Sequence, residues 1–421
     1  MALLSGRSAA AFLRRGRRAP AAADAAGGSA TPAPFAQALE ALADPVLLVF
    51  AERPDDLSNR TVVFANAAAR DLLPGTQGGA RLASVMRSPS VLEAIDESMF
   101  GAFAREAVYE SGGVQERIWT VRTTPLEAPD GRLIMAHFRD ETASRRAERS
   151  RVDFLANASH ELRTPLASLS GFIETLRGHA REDPEAREQF LRIMSVQAER
   201  MRRLIDDLMS LSRIELNEHV PPAGSCDLAL AVADVADALK PMTADKKVRL
   251  VLNLAPGGAS QLRGDRHQIV QVVQNLLDNA VKYSPSGGAV RVEIVCGLSA
   301  AEALASAAPA FVGVPGAGRL SLLTPDRAPE GAQYALLRIT DEGPGLAREH
   351  LPRLAERFYR VEGQKSGERL GTGLGLAIVK HVMNRHRGGL LVESVQGRGA
   401  AFSAYFPVAQ GPGAGEAETA P

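Results

Sequence analysis

Apolar residues recur at helical spacing through the middle of the chain. Phe154, Leu155, Ala158, Leu162, Leu166, Leu169, Ile173 and Leu176 form one series. Phe190, Ile193, Met194, Met201, Leu204, Leu208 and Leu211 form a second. Each series draws an apolar stripe along one face of a helix. Between them Gly178, Asp183 and Pro184 supply stop and start chemistry. Residues 153–218 therefore read as an antiparallel helical hairpin. One hairpin leaves its stripe half covered, whereas two copies close a four-helix bundle, so the pattern predicts a homodimer. Just upstream, residues 141–152 are charged and contain neither Gly nor Pro, which reads as a linker helix.

The flanking regions have other periods. Within 36–140, short apolar runs at 46–50, 61–65, 118–122 and 133–138 alternate with Ala-rich helical stretches at 66–73 and 91–104, the pattern of a small α+β domain. Beyond Pro221 and Pro222, strands are expected at 248–254, 289–295, 334–341, 390–395 and 401–406. Helices are expected at 228–245, 266–283 and 374–387. Residues 225–408 thus read as an α/β sandwich, interrupted by an Ala/Gly/Pro-rich insertion at 297–333. The ends, 1–35 and 409–421, have the composition of disordered tails. The fold class expected is multidomain.

Composition narrows the function. Lys+Arg and Asp+Glu both number 49, so nothing in the overall charge points to nucleic acid. The two cysteines, Cys226 and Cys296, form neither a disulfide framework nor a metal-ligand spacing. No apolar run approaches the roughly 18 residues that span a bilayer. A cytoplasmic protein is expected, with at most peripheral membrane contact through Arg14, Arg15, Arg17 and Arg18.

Four groups of residues carry candidate chemistry. The first is Ser159-His160-Glu161-Leu162-Arg163-Thr164-Pro165, within the first hairpin helix. Short or polar neighbours turn His160 toward water, and a neutral imidazole is a competent nucleophile. Glu161 can orient the ring or take its proton. Thr164, four residues on, shares the face of His160 and can position a water. Pro165 is expected to bend the helix.

The second group is Asn275 and Asn279, on one helix face, followed by Lys282 and Tyr283. Amide oxygens are hard ligands suited to Mg²⁺ with substrate phosphates, and Lys282 supplies a point charge. The third is Asp341-Glu342-Gly343-Pro344-Gly345, after a strand. There a carboxylate can accept from an exocyclic amine, and the glycines let the backbone approach a flat base. The fourth is Gly371-Thr372-Gly373-Leu374-Gly375-Leu376, opening a helix where free backbone N–H groups bind phosphate. It lacks the ending of a Walker loop. Between the last two lies Glu356-Arg357-Phe358-Tyr359-Arg360. Arg360 can reach a terminal phosphate, and residues 362–369 read as a mobile lid.

In this order and spacing the blocks resemble those of the sensor histidine kinases of two-component systems, most of all the phosphate-regulon sensor kinases. The resemblance covers residues 150–408 and implies a Bergerat-type ATPase. By that resemblance, Asn279 holds Mg²⁺ with Asn275 beside it, and Lys282 and Tyr283 approach the phosphates and ribose. Asp341 reads the adenine amine, and Gly343, Gly345, Gly371, Thr372, Gly373, Leu374 and Gly375 line the nucleotide. His160 takes the γ-phosphoryl group and passes it to an aspartate in the receiver domain of a response regulator. Glu161 and Thr164 match the family's kinase and phosphatase positions. Residues 36–142 resemble a PAS sensor domain. Glu342, where Asn is commoner, and the insertion depart from the family pattern. Two further readings remain from the residues themselves. One is a non-catalytic ATP-binding scaffold. The other is a chaperone-type ATPase, which would release free phosphate without forming a phosphoprotein.

Overall fold

The short apolar runs of the N-terminal third pair into one antiparallel sheet. The computed structural model describes residues 34–53, 59–112, 116–128, 131–254, 260–305, 311, 314–325, 332–361 and 371–408. Both proposed tails and the proposed lid at 362–369 fall outside them, apart from residues 34 and 35. The chain forms two units, Met1–Leu155 and Ala156–Pro421.

In the first unit, helix α1 (Pro34–Glu40) precedes strands β1 (Val46–Ala51) and β2 (Thr61–Ala65). Helices α2 (Ala67–Leu72), α3 (Leu82–Val85) and α4 (Pro89–Gly101) follow. Strands β3 (Arg105–Ser111), β4 (Arg117–Ala128) and β5 (Gly131–Asp140) complete it. The sheet order is β2-β1-β5-β4-β3. Val91, Ile95 and Met99 of α4 pack with Leu47, Val49, Val121, Ile134 and Phe138 of the sheet. Asn66, fully buried, stitches this unit together. Its Oδ1 accepts from Val46 N (3.0 Å) and Ala69 N (2.9 Å), and its Nδ2 donates to Asp44 O (2.8 Å). One side chain thereby caps α2 and fixes the start of β1. Strand β3 is absent from the sequence-based expectation because no apolar run marks it. It alternates exposed and half-buried positions at the sheet edge.

Helix α5 (Thr142–Arg177) runs for 36 residues. The expected linker at 141–152 is therefore no separate element. With neither Gly nor Pro before Pro165, nothing stops the helical hydrogen bonding that begins at Thr142. The helix also continues through Pro165, which is buried, so the expected bend does not break it. Helix α6 (Pro184–Leu216) starts where Asp183 accepts from Glu185 N (3.1 Å) and Ala186 N (3.0 Å), with Pro184 in its first turn. Near the turn the Phe172 and Phe190 rings lie 5.4 Å apart, closing the hairpin.

The part after the hairpin contains β6 (Ser225–Asp227), α7 (Leu228–Ala238), α8 (Lys240–Lys246), β7 (Arg249–Asn253), β8 (Gln261–Arg263), α9 (Arg266–Tyr283) and β9 (Ala289–Leu298). After these come α10 (Ala300–Ala305), β10 (Gly318–Leu323), β11 (Tyr334–Thr340), a 3₁₀ helix (Arg348–Arg353), α11 (Gly375–Arg385), β12 (Gly389–Val395) and β13 (Gly399–Pro407). Two expectations are corrected. The helix expected over 228–245 is divided in two, with Pro241 in the first turn of α8, where a missing N–H costs nothing. The insertion at 297–333 contributes to the sandwich: β10 joins the edge of a six-stranded sheet, in the order β10-β12-β13-β11-β9-β7. Ala303 of α10 packs with Tyr334, Leu336, Leu391 and Tyr405, so the insertion helps bury one sheet surface. Its small, weakly patterned residues concealed this.

Candidate active site

The site grows from α9. Asp265 caps this helix by accepting from His267 N (2.9 Å) and Gln268 N (3.4 Å). Ile269, Val272, Val273, Leu276, Leu277, Ala280 and Val281 are buried. Burying that stripe leaves Asn275, Asn279, Lys282 and Tyr283 half-buried. At the helix end, Lys246 donates to the carbonyls of Val281 (2.9 Å) and Lys282, and so braces the turn that carries the site.

Three loops close on this helix. After β11, Asp341 is only 7% exposed. Its Oδ1 accepts from Gly343 N (2.8 Å) and Ala400 N (3.3 Å). A Cβ at Gly343 would lie 2.7 Å from Asp341 Oδ1 and 2.8 Å from Tyr283 O. Only glycine allows that approach. The Gly371–Gly375 loop is drawn in the same way. A Cβ at Gly371 would lie 2.9 Å from Lys282 Nζ, and one at Gly375 would lie 3.0 Å from Asn275 Oδ1. Leu374 is buried, and Leu374 N donates to Thr372 Oγ1 (3.3 Å). Phe358 N donates to Gly373 O (2.9 Å), pairing the Phe block with the Gly-rich block. Tyr359 is held by His350 Nδ1 (2.8 Å) and by Arg353, stacked 4.3 Å over its ring.

The hairpin meets the same cluster. His160 and Thr164 are exposed, and Thr164 Oγ1 donates to His160 O (3.3 Å). Glu161 Oε2 accepts from Arg360 Nη2 (2.8 Å) and Arg200 Nη2 (3.0 Å). Arg360 thus bonds the residue that follows His160 on α5. Thr372 Oγ1 donates to Asp207 Oδ2 (2.7 Å) on α6. Burial raises the Asp207 carboxyl above the usual carboxylate range, against the lowering effect of that bond.

Sequence comparison separates the two parts of this assembly. Residues 150–217 match the His Kinase A (phospho-acceptor) domain, and residues 264–410 match the histidine kinase-, DNA gyrase B- and HSP90-like ATPase family. The phosphate regulon sensor protein PhoR of Pseudomonas aeruginosa is 32% identical over 356 residues, covering 84% of this chain and 71% of PhoR. The chain belongs to the two-component sensor histidine kinases. Also similar are the sensor-like histidine kinase SenX3 of Mycolicibacterium smegmatis (31% identical, covering 67% of this chain and 64% of SenX3) and the alginate biosynthesis sensor protein KinB of Pseudomonas aeruginosa (28%, 78% and 50%). This kinase accordingly spans between half and about seven-tenths of the length of these three relatives.

This kinase is a protein histidine kinase that uses ATP and phosphorylates itself before phosphotransfer. The cytoplasmic placement expected from the sequence is corrected by the same comparisons, because PhoR, SenX3 and KinB are typically membrane-anchored sensors. Among the described residues no helix is long and apolar enough to cross a membrane, and that alone assigns no compartment.

The electrostatics of the kinase suit a polyphosphate. Burial, and then the nearby positive charges of Arg360, Arg203 and Lys246, lower the Lys282 ammonium to about 8. Such a cluster of cations is relieved by an anion placed among them. Asn275 Nδ2 is buried without a hydrogen-bond partner, a donor left available on the helix that carries the site. Several contributors went unrecognised in the sequence: Arg200, Arg203, Asp207 and Ser210, whose hydroxyl donates to Gln271 Oε1 (2.9 Å). Their spacing of three to four residues gives α6 a polar stripe, half-buried at Arg200, Asp207 and Ser210, the one available signal that a second face of this helix makes contacts.

Proposed function

We propose that this kinase takes the γ-phosphoryl group of ATP on His160 and passes it to an aspartate in the receiver domain of a response regulator. The observation that carries this reading is the Arg360–Glu161 hydrogen bond. It ties a cation from the Phe block to the residue next to His160 in α5, which supports the reading. Asp341 Oδ2 reads the adenine amine, and Tyr283 meets the ribose. Lys282 and the backbone N–H groups of the Gly371–Gly375 loop hold the phosphates. Asn279, with Asn275 beside it, would hold Mg²⁺. The ion, when bound, supplies charge neutralisation on the phosphates. The imidazole lone pair of His160 bonds to the γ-phosphorus as the bond to the β–γ bridging oxygen breaks and ADP leaves. Glu161 takes the ring proton. Arg360 is poised to leave Glu161 for the developing negative charge. Thr164 directs water at phosphorylated His160 in a phosphatase step.

Two parts of the reading concern assembly. The hairpin exposes Leu166 (55%) and Met209 (52%) together with Leu155, Ile173 and Ile205, and a second copy covering them favours a homodimeric four-helix bundle. A PAS-type sensor is supported by the five-stranded antiparallel sheet in the order β2-β1-β5-β4-β3, with all its connecting helices between β2 and β3. Incubating the full chain with γ-labelled ATP and Mg²⁺ is expected to give an acid-labile, base-stable phosphoprotein. Free phosphate with no labelled protein would favour a chaperone-type ATPase instead.

ATP affinity should also depend on pH through Asp341. Burial raises its carboxyl to about 6, against the hydrogen bonds from Gly343 and Ala400. The ionised form is the one that accepts from adenine. The Asp341 contribution should therefore be constant above pH 7, where Lys282 begins to titrate instead, and affinity should fall as pH drops through 6, by about tenfold per unit well below it. Measuring ATP binding by calorimetry from pH 5 to 8 checks this. Asp341→Asn should bind more weakly and lack the component of the acid limb that wild type owes to Asp341.

A further inference from the structure

The two helices that carry the nucleotide motifs are joined at their far ends by a histidine outside every motif block. His386 follows α11 and is only 3% exposed. Its Nδ1 faces Val382 O at 2.8 Å, and its Nε2 faces the backbone N of Asp265 at 3.1 Å. A carbonyl can only accept and an amide N–H can only donate. The ring is therefore the neutral tautomer, with the proton on Nδ1 and the lone pair of Nε2 directed at Asp265 N–H. Burial lowers its basicity further below that of an ordinary histidine, which keeps that lone pair available. Asp265 is the N-cap of α9. The surroundings leave the ring no other seat. Phe406 meets it edge-on with centroids 6.2 Å apart, and a Cβ at Gly264 would lie 2.7 Å from His386 Cδ2.

At the opposite end of α11, Gly375 packs on Asn275, midway along α9. The helix pair is thus pinned twice, at the site through glycine and at the base through His386. If the base pin is lost, α11 can slide or rock against α9. The Gly-rich loop then moves relative to Asn275 and Lys282.

We propose that His386 is a positioning residue for nucleotide binding, fixing the register of α11 on α9 through the His386–Asp265 hydrogen bond. This rests on the reading of those two helices as the two sides of the ATP cradle. The test uses the full chain and two substitutions that separate the ring's two hydrogen bonds. In His386→Gln, an amide oxygen can stand where Nε2 stands and still accept from Asp265 N. In His386→Asn, an amide can stand where Nδ1 stands and serve Val382, leaving Asp265 N unpaired. Binding of ATP and the KM and kcat of self-phosphorylation are measured for both.

The expected result is a rise of about tenfold in Kd and KM for ATP in His386→Asn, the scale of one lost buried hydrogen bond. kcat at saturating ATP should change little, and His386→Gln should stay within about twofold of wild type. If His386→Asn binds ATP as wild type does, or if both variants weaken equally, the proposal is overturned and the ring serves only to fill space. Should His386→Asn fail to fold, Gly264→Ala replaces it, since the new methyl group displaces the ring from Asp265. It should give the same rise in KM, and an unchanged KM overturns the proposal. Wild-type chain that bound no ATP would instead overturn the reading of the cradle itself.

Discussion

Replacing His160 by Gln should leave the kinase able to bind ATP and unable to label itself. The side chain is exposed on α5, and no core contact depends on it. The substitution removes a nucleophile without opening a cavity, and Gln is a good helix former. Nothing in the cradle changes, because Asn275, Lys282 and Asp341 are supported by α9 and the sheet. Nucleotide affinity should stay within about twofold of wild type, since no contact worth as much as the roughly 1.4 kcal/mol of a tenfold effect is lost. Phosphoprotein should fall below detection, as expected when the group that forms the covalent bond is removed. Gel detection after incubation with γ-labelled ATP, beside calorimetry with ATP, checks both halves. Undiminished labelling would place the acceptor on another residue.

The second large effect is expected at Gly373. Its φ of +75° lies in the left-handed region, where a side chain costs about 1–2 kcal/mol. Space is a harder limit. A Cβ there would lie 2.8 Å from Phe358 Cα and 3.0 Å from Phe358 O. These are backbone atoms of a residue itself held at φ +64° and bonded to Gly373 O through its N–H. Neither strand of the contact can yield without breaking that pairing. Gly373→Ala should lower ATP affinity about a hundredfold, equivalent to about 2.7 kcal/mol, and reduce self-phosphorylation in parallel. Gly297→Ala is the control. Gly297 also has a positive φ (+78°), yet a Cβ there meets nothing within 4 Å. It should lose stability but keep its nucleotide affinity. Equal affinities for wild type and Gly373→Ala would contradict the close pairing of the Phe and Gly-rich blocks.

Much of this could be read before any coordinates. The hairpin followed from apolar spacing and from Asp183-Pro184, and α9 has the expected bounds because Asp265 and Ser284 are unambiguous ends. Elements without a strong local pattern were missed. Strand β3 sits at an edge, and β6 and β8 are three residues each. Strand β10 lies in a segment whose small residues resemble a loop. The break between α7 and α8 has no unique sequence signal, because Pro241 can open a helix as well as end one.

The site shows the same division. Motif chemistry named the residues on each side of the cradle, since a nucleophile, amide ligands, a carboxylate and glycines can be recognised by type and order. It could not show that Arg360 bonds Glu161, that Thr372 bonds Asp207, or that His386 reaches Asp265. Those partners are 199, 165 and 121 residues apart. Side-chain type and periodic spacing are local properties, and they determined which chemistry this kinase carries and which segments become helices. Which long-range polar groups face one another depends on how the sheet, the helices on it and the hairpin pack. Only the folded chain brings a buried lone pair or a guanidinium within hydrogen-bonding distance of a partner so distant in sequence, and no local pattern encodes that meeting.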